Sequence, residues 1–124
     1  MIDTILDPQI WLVLVAVVHA VVGVILPTEW EDDTNKLVSG WFLLTTVTML
    51  GSAFLLEGEA MARMAVVIAG PVWVWFVVCI ALGLEITYTT DGPYTFDFAD
   101  NVPPLIFWGM TALTGVLGWN MEEE

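Results

Sequence analysis

The sequence predicts an all-α integral membrane protein: a bundle of four transmembrane helices with a short β-hairpin or extended flap between the third and fourth. Mean hydropathy is +0.83, and 58% of the residues are hydrophobic. Charged residues make up only 14% and are gathered in short runs between long apolar segments, whereas a soluble domain carries about 25%. The 124 residues are therefore expected to form a single membrane domain with acidic loops.

Four segments are long and apolar enough to cross a hydrocarbon core, which takes roughly 20 residues of helix. Lipid offers no hydrogen-bond partners to the backbone, so each segment is predicted to be helical. The predicted spans are 10–26, 37–56, 64–84 and 102–121. Four spans place both termini on one side of the cell membrane. Arg63 lies on that side, and its positive charge favours the cytoplasm.

Residues 86–101 have a residue pattern that differs from that of a simple polar linker. Tyr88 on one arm and Tyr94, Phe96 and Phe98 on the other alternate with Thr and Asp around Asp91-Gly92. Asp-Gly between alternating runs is a strong hairpin signal, because the tight turn needs a positive φ that glycine supplies. The aromatic side of this hairpin is expected to rest on the helix ends or on a partner.

The loops carry a large excess of carboxylates: 15 acidic residues stand against two basic ones, for a net charge of −13. This composition resembles that of proteins from salt-accumulating halophilic archaea, and it implies a surface adapted to molar salt, where the Debye length falls to about 3 Å. With only Lys36 and Arg63 to neutralise phosphates, nucleic-acid binding is not expected.

The alternative interpretation of these carboxylates is an acidic mouth that binds cations. Oxygen ligands suit Ca²⁺ or Mg²⁺, but no spacing here matches a defined calcium loop. We therefore expect solvated loops with loosely bound cations and no metal cofactor. The candidate mouth consists of Glu29, Glu31, Asp32, Asp33, Asp97 and Asp100.

Each predicted span has a face of small residues, the pattern that lets helices approach closely in lipid. These residues are Ala16, Ala20 and Gly23 in the first span, Gly40 and Gly51 in the second, Gly83 in the third, and Gly115 and Gly118 in the fourth. Pro71 lacks a backbone N–H and is predicted to kink the third helix.

His19 is the only ionisable residue at the predicted membrane depth, and such residues merit a functional hypothesis. A neutral imidazole is satisfied by one hydroxyl or one backbone carbonyl, and the second span offers a hydroxyl strip of Thr45, Thr48 and Ser52. The alternative is a proton or substrate contact. A lone histidine is a poor metal site because zinc needs three or four protein ligands.

No catalytic motif is present, so the sequence predicts no enzyme and no cofactor. The leading hypothesis is a small non-catalytic multi-pass protein of a halophilic archaeon that self-associates or serves as an accessory subunit of a larger membrane complex. The alternative is a small oligomeric transporter or channel that uses His19. The chain resembles small multidrug transporters in length and helix count, but it lacks their membrane-embedded Glu in the first span. A third hypothesis is a haem- or quinone-linked redox protein.

Overall fold

The computed structural model describes residues 2–86 and 93–120, most of which are helical. A short helix α1 (Ile2–Ile5) precedes α2 (Pro8–Val18), which continues directly into a π-helix (His19–Ile25). Three further helices follow: α3 (Asp33–Leu55), α4 (Gly58–Leu82) and α5 (Val102–Leu117). The chain between α4 and α5 contains two short strands, β1 (Glu85–Ile86) and β2 (Tyr94–Thr95).

Three of the helical segments are long and apolar enough to cross a membrane. They are Pro8–Ile25 with 18 residues, α3 with 23 and α4 with 25. The apolar helix α5 is shorter, with 16 residues, so at a rise of 1.5 Å per residue it covers about 24 Å of a core about 30 Å thick. The fourth span therefore stays a prediction, and its expected end at residue 121 lies outside the described residues.

The helices extend beyond the predicted spans into charged sequence. Helix α3 begins at Asp33 and α4 at Gly58, several residues before the charge-free runs start. The apolar run marks only the part of a helix that suits lipid, while the helix itself continues until a cap ends it. At the far end of α4 that cap is Gly83, whose φ of 57° lies in the left-handed region that favours glycine.

Small side chains allow the helices to pack closely around one core cluster. Its buried members are Leu12, Val15, Ala16, Met49, Ala53, Met61, Ala65, Ala69 and Trp108. Helices α4 and α5 approach each other closely at Gly115, where an ideal Cβ would lie 2.5 Å from the carbonyl oxygen of Ala62. Gly115 thus lies in a close contact between these two helices.

The other small residues of the predicted faces differ in their surroundings. Ala16 is fully buried, Gly118 is buried at the end of α5, and Ala20 is half-buried. An ideal Cβ on Gly40 or Gly51 would meet nothing within 4 Å in the described part of the chain. A packing role for these two glycines stays a prediction.

Long side chains connect the helices at one end of the bundle. The Gln9 amide donates to the Ala53 carbonyl oxygen over 2.7 Å, which joins the start of α2 to the end of α3. Arg63 near the start of α4 donates from Nε to the Trp119 carbonyl oxygen and has its guanidinium 5.6 Å from the centre of the Trp119 ring. Both ends of the described chain therefore lie at this end of the molecule.

A two-stranded antiparallel sheet pairs Glu85 with Thr95 and Ile86 with Tyr94, so it begins one residue before the predicted flap. Its aromatic residues pack on one another and on α4: the ring centres of Tyr94 and Phe96 are 5.2 Å apart, and those of Phe96 and Phe76 are 6.1 Å apart. Phe98, in contrast, is exposed. Tyr88 and the predicted turn at Asp91-Gly92 lie outside the described residues.

Candidate functional site

A cavity of about 1050 Å³ lies at the hairpin end of the bundle. The π-helix packs on α3, while α4 packs on α5, and the cavity occupies the space between these two pairs of helices. Residues from both strands and the adjoining loop complete its wall. The wall of the cavity is therefore formed by the π-helix, α3, α4, α5 and the hairpin together.

The lining is mostly aliphatic and aromatic, with few polar groups. Val22, Val72, Phe76 and Trp108 contribute apolar surface. Among the described lining residues, the polar ones are His19, Thr45, Cys79, Tyr94 and Asn101, and none is Asp, Glu, Lys or Arg. A mostly apolar wall with a few polar groups is typical of sites for small organic molecules.

His19 is held in a defined orientation at the first turn of the π-helix. Its Nε2 lies 2.9 Å from the carbonyl oxygen of Phe42 in α3. The imidazole also packs edge-on against Trp108, with ring centres 5.4 Å apart, and tilted against the Phe42 ring at 5.7 Å. A π-helical turn is rare and is frequently found at functional sites, so its position at this histidine marks the cavity as the candidate site.

The structure brings only part of the predicted hydroxyl strip to His19. Thr45 lines the cavity together with the histidine. Thr48 Oγ1 donates to the Leu44 carbonyl oxygen over 2.8 Å, and Ser52 Oγ donates to the Thr48 carbonyl oxygen over 2.9 Å. These last two hydroxyls bond back to their own helix, as Ser and Thr commonly do, and the observed partner of His19 is a backbone carbonyl.

Two polar groups from the chain between α4 and α5 form a pair at the hairpin side of the cavity. Asn101 donates from Nδ2 to the Tyr94 hydroxyl oxygen over 2.8 Å and to the Asp97 carbonyl oxygen over 2.7 Å. Burial raises the pKa of the Tyr94 hydroxyl, and the hydrogen bond from Asn101 opposes this shift. The phenol therefore stays uncharged at neutral pH, in keeping with the uncharged lining.

Three carboxylates of the predicted acidic mouth, those of Asp32, Asp33 and Asp97, each have a local partner. Asp33 pairs with Lys36 over 2.8 Å, and Asp97 Oδ1 accepts from the Asp100 backbone N–H over 2.8 Å. Within residues 2–86 and 93–120, no three His, Cys, Asp or Glu side chains converge in a way that would hold a metal ion. Cation binding by the loops stays a prediction.

Asp32 caps α3. Its Oδ2 accepts from the Asn35 side-chain amide over 2.8 Å and from the Asn35 backbone N–H over 2.7 Å, and these two bonds hold the pKa of the carboxyl below its ordinary value of 3.8. A lowered carboxyl pKa adds stability above pH 3.8 that disappears as the pH falls through the folded-state pKa.

We therefore expect Asp32→Ala to lower the melting temperature at pH 7 and to lower it less at pH 3. The physical reason is that the cap is lost in the variant at any pH, whereas the wild type loses part of its advantage on protonation. Melting curves followed by circular dichroism at constant high salt measure the difference. Asp32→Asn is the matched control, because an Asn cap retains an acceptor oxygen without a titrating charge. A deficit of Asp32→Ala that is equally large at both pH values would contradict the assignment.

His19 can be singled out from the sequence, whereas the aromatic residues that surround it cannot. Phe42 and Trp108 lie in different predicted spans, and nothing in the linear pattern indicates that they meet. One local signal was present, because Gly23 follows His19 by four residues and lies over the imidazole on the same helix. Pro71, predicted as a kink, also lines the cavity, and α4 continues through it.

Comparison of the chain with known protein families, with curated proteins and with solved structures gives no match. The cavity is therefore the feature of the molecule from which a function can be inferred.

Proposed function

We propose that the chain is a small multi-pass membrane protein that binds a lipid-soluble molecule in the cavity beside the π-helix. The observation that carries this proposal is the cavity, with a volume of about 1050 Å³ and a mostly apolar wall. Ligand sites in proteins commonly measure about 300–1,000 Å³ and present the same kind of lining. Binding requires no chemical step, so the proposal agrees with the expectation of a non-catalytic protein.

The rim of the cavity indicates entry from the bilayer. Val22, Leu26 and Trp75 line the cavity and are also exposed on the outer surface of the helices, with 60%, 66% and 62% of their surface accessible. In a bilayer these side chains contact acyl chains. A molecule dissolved in the membrane therefore passes from lipid to cavity along these apolar side chains, and none of the described lining residues is Asp, Glu, Lys or Arg.

The proposal also includes a position in the membrane. The three long helices and α5 together cross a cell membrane, both termini lie on the cytoplasmic side, and the acidic loops face the concentrated salt of a halophilic organism. The pairing of Arg63 with Trp119 supports this position, because a cation and an indole at a helix end suit the interface.

The test compares what copurifies with the protein and with a variant whose cavity is partly filled. We expect Val22→Trp to reduce the bound molecule severalfold, because the indole occupies the cavity mouth. Val21→Trp is the matched control, since Val21 is exposed on the same helix but does not line the cavity. Each protein is purified in mild detergent at high salt, extracted with organic solvent and analysed by mass spectrometry, after circular dichroism has shown equal helix content.

One molecule recovered in near-stoichiometric amount from wild type and Val21→Trp, but depleted from Val22→Trp, is the expected result. Equal recovery from all three proteins would show only surrounding lipid and would contradict the proposal. A visible absorption band in the wild-type preparation would identify the bound molecule as a haem or another pigment.

Self-association is a second candidate function, favoured by the outer face of α3. Gly40 lies on this helix without a neighbour within 4 Å of an ideal Cβ, and Leu44 one turn further along is exposed. An uncovered glycine allows another helix to approach closely in lipid, where packing drives association. Light scattering on the same purified samples distinguishes the outcomes: a dimer mass supports this function, and a monomer with no companion protein contradicts it.

A further inference from the structure

We propose that the molecule bound in the cavity carries an uncharged hydroxyl group on an apolar body, and that this hydroxyl donates a hydrogen bond to Nδ1 of His19. This inference rests on the proposed function and specifies the chemistry of the ligand. It follows from the tautomer of the histidine, from the absence of a side chain on Gly23 and from the uncharged lining.

The partner of Nε2 determines the tautomer. A carbonyl oxygen has only lone pairs, so the 2.9 Å contact between Nε2 and the Phe42 carbonyl oxygen requires the proton to be on Nε2. In a neutral imidazole the other nitrogen, Nδ1, then has a lone pair and no proton. Nδ1 is therefore a hydrogen-bond acceptor, and a ligand that pairs with it must supply an O–H or N–H group.

Gly23 leaves this acceptor open. An ideal Cβ on Gly23 would lie 3.2 Å from Nδ1 and 3.5 Å from Cε1 of His19. Any larger residue here would place a carbon against the lone pair. Both residues line the cavity, so the position without a side chain is also the position that gives a cavity ligand access to Nδ1.

The surrounding rings keep the acceptor in place. Trp108 meets the imidazole edge-on and is almost completely buried, while the Phe42 ring packs tilted against it. With Nε2 bound to α3 and two aromatic neighbours, the imidazole cannot turn Nδ1 away without losing all three contacts. A preorganised acceptor binds a donor with little loss of side-chain entropy.

The uncharged lining argues against a charged donor. None of the described residues that line the cavity is Asp, Glu, Lys or Arg. An ammonium group would lie in apolar surroundings without a counter-ion. The carboxylate of an ionised acid has no proton to donate to Nδ1, and burying either charged group costs a large desolvation free energy. An alcohol or phenol hydroxyl supplies a donor without that cost.

The first test is a competition between hexadecanol and its methyl ether, which differ in the hydroxyl proton and one methyl group. The protein is placed in detergent that contains equal amounts of the alcohol and the ether. Native mass spectrometry then measures the relative amounts of the two complexes in one spectrum. A net hydrogen bond of about 1 kcal/mol corresponds to a preference of about fivefold for the alcohol. We expect this preference in the wild type, and we expect Gly23→Ala to abolish it because its Cβ covers Nδ1.

Gly51→Ala is the matched control for this test. It makes the same substitution in a helix at a place where an ideal Cβ meets nothing within 4 Å, so the preference should persist. Any difference in how the alcohol and the ether partition into the micelle affects both variants equally. The ratio of the two complexes, compared between Gly23→Ala and Gly51→Ala, therefore reports on His19.

The second test needs no variant, because His19 is the only histidine in the chain. Labelling with ¹⁵N-histidine yields two ring-nitrogen resonances, which are recorded at about pH 8, above the ordinary titration range of histidine. With the proton on Nε2, we expect one resonance from a protonated nitrogen and one from a bare nitrogen. On addition of hexadecanol the resonance of the bare nitrogen should move to lower frequency, because its lone pair then accepts a hydrogen bond. The ether has no proton to donate and should leave this resonance in place.

The outcomes separate this inference from the proposed function. The hydroxyl assignment is overturned if the wild type binds alcohol and ether equally, or if the bare-nitrogen resonance does not shift when the alcohol is added. Either result leaves a lipid-binding cavity. Binding of neither probe contradicts the proposed function itself. A wild-type spectrum with the proton on Nδ1 would overturn the tautomer on which the inference depends.

Discussion

Gly115→Ala is expected to destabilise the protein by about 2–3 kcal/mol, at the upper end of the usual cost of overpacking. The added methyl carbon would lie 2.5 Å from the Ala62 carbonyl oxygen, 2.8 Å from Val66 Cγ2 and 3.0 Å from the Val66 backbone nitrogen. Two of these atoms belong to the backbone and cannot rotate away. Helices α4 and α5 must therefore separate, and the contact that holds the second helix pair together weakens.

The measurement is the free energy of unfolding in mixed micelles, followed by circular dichroism. Gly51→Ala is the control, because its methyl group meets no neighbour in the described chain and Ala favours a helix by about 0.5–1 kcal/mol over Gly. We expect the two variants to differ in sign. If Gly115→Ala unfolds no more easily than Gly51→Ala, the close contact between α4 and α5 is wrong.

Trp108→Ala is expected to cost about 3–5 kcal/mol, the range for removing a large buried aromatic side chain. Trp108 is 5% exposed, belongs to the core cluster and supports the imidazole of His19 at 5.4 Å. The truncation leaves a void beside the cavity and removes an edge-on ring contact. Binding of the cavity molecule should weaken together with stability, because Nδ1 of His19 loses one of the groups that hold it in place.

The control for this substitution is Trp41→Ala, which removes the same side chain from a position on α3 that is 67% exposed. Loss of an outward-facing indole is expected to change the unfolding free energy by at most about 1 kcal/mol. Both variants are measured by the same unfolding titration. Similar costs for Trp108 and Trp41 would contradict the burial of Trp108 in the core and its contact with His19.

Much of the architecture is predictable from hydropathy and turn signals. Long charge-free runs indicated the helices that are long enough to cross a membrane, because the backbone in lipid has to be satisfied internally. The Asp-Gly signal indicated a hairpin, and the two strands found between α4 and α5 pair antiparallel as expected. Helix ends were less predictable, since α4 begins in charged sequence and ends at a left-handed Gly83 that hydropathy does not reveal.

Only part of the candidate site can be predicted from the sequence. His19 was recognisable because an ionisable group in an apolar run is unusual. The two residues that contact it, Phe42 and Trp108, were not recognisable from the sequence. They lie 23 and 89 positions further along the chain, in other helices, and nothing in the local sequence distinguishes them from other apolar residues. The π-helix was equally hidden, since no local residue pattern distinguishes it from the α-helix that precedes it.

The sequence by itself determined which segments suit lipid and which loops carry the acidic residues behind the net charge of −13. It also determined that a single imidazole lies within one of the apolar segments. These properties depend only on the kind of residue and its neighbours along the chain. The tertiary structure decided what the imidazole can do. The Phe42 carbonyl places the proton on Nε2, Gly23 leaves Nδ1 open, and the separation of the two helix pairs creates the space for a ligand, all of which depend on contacts between distant parts of the chain.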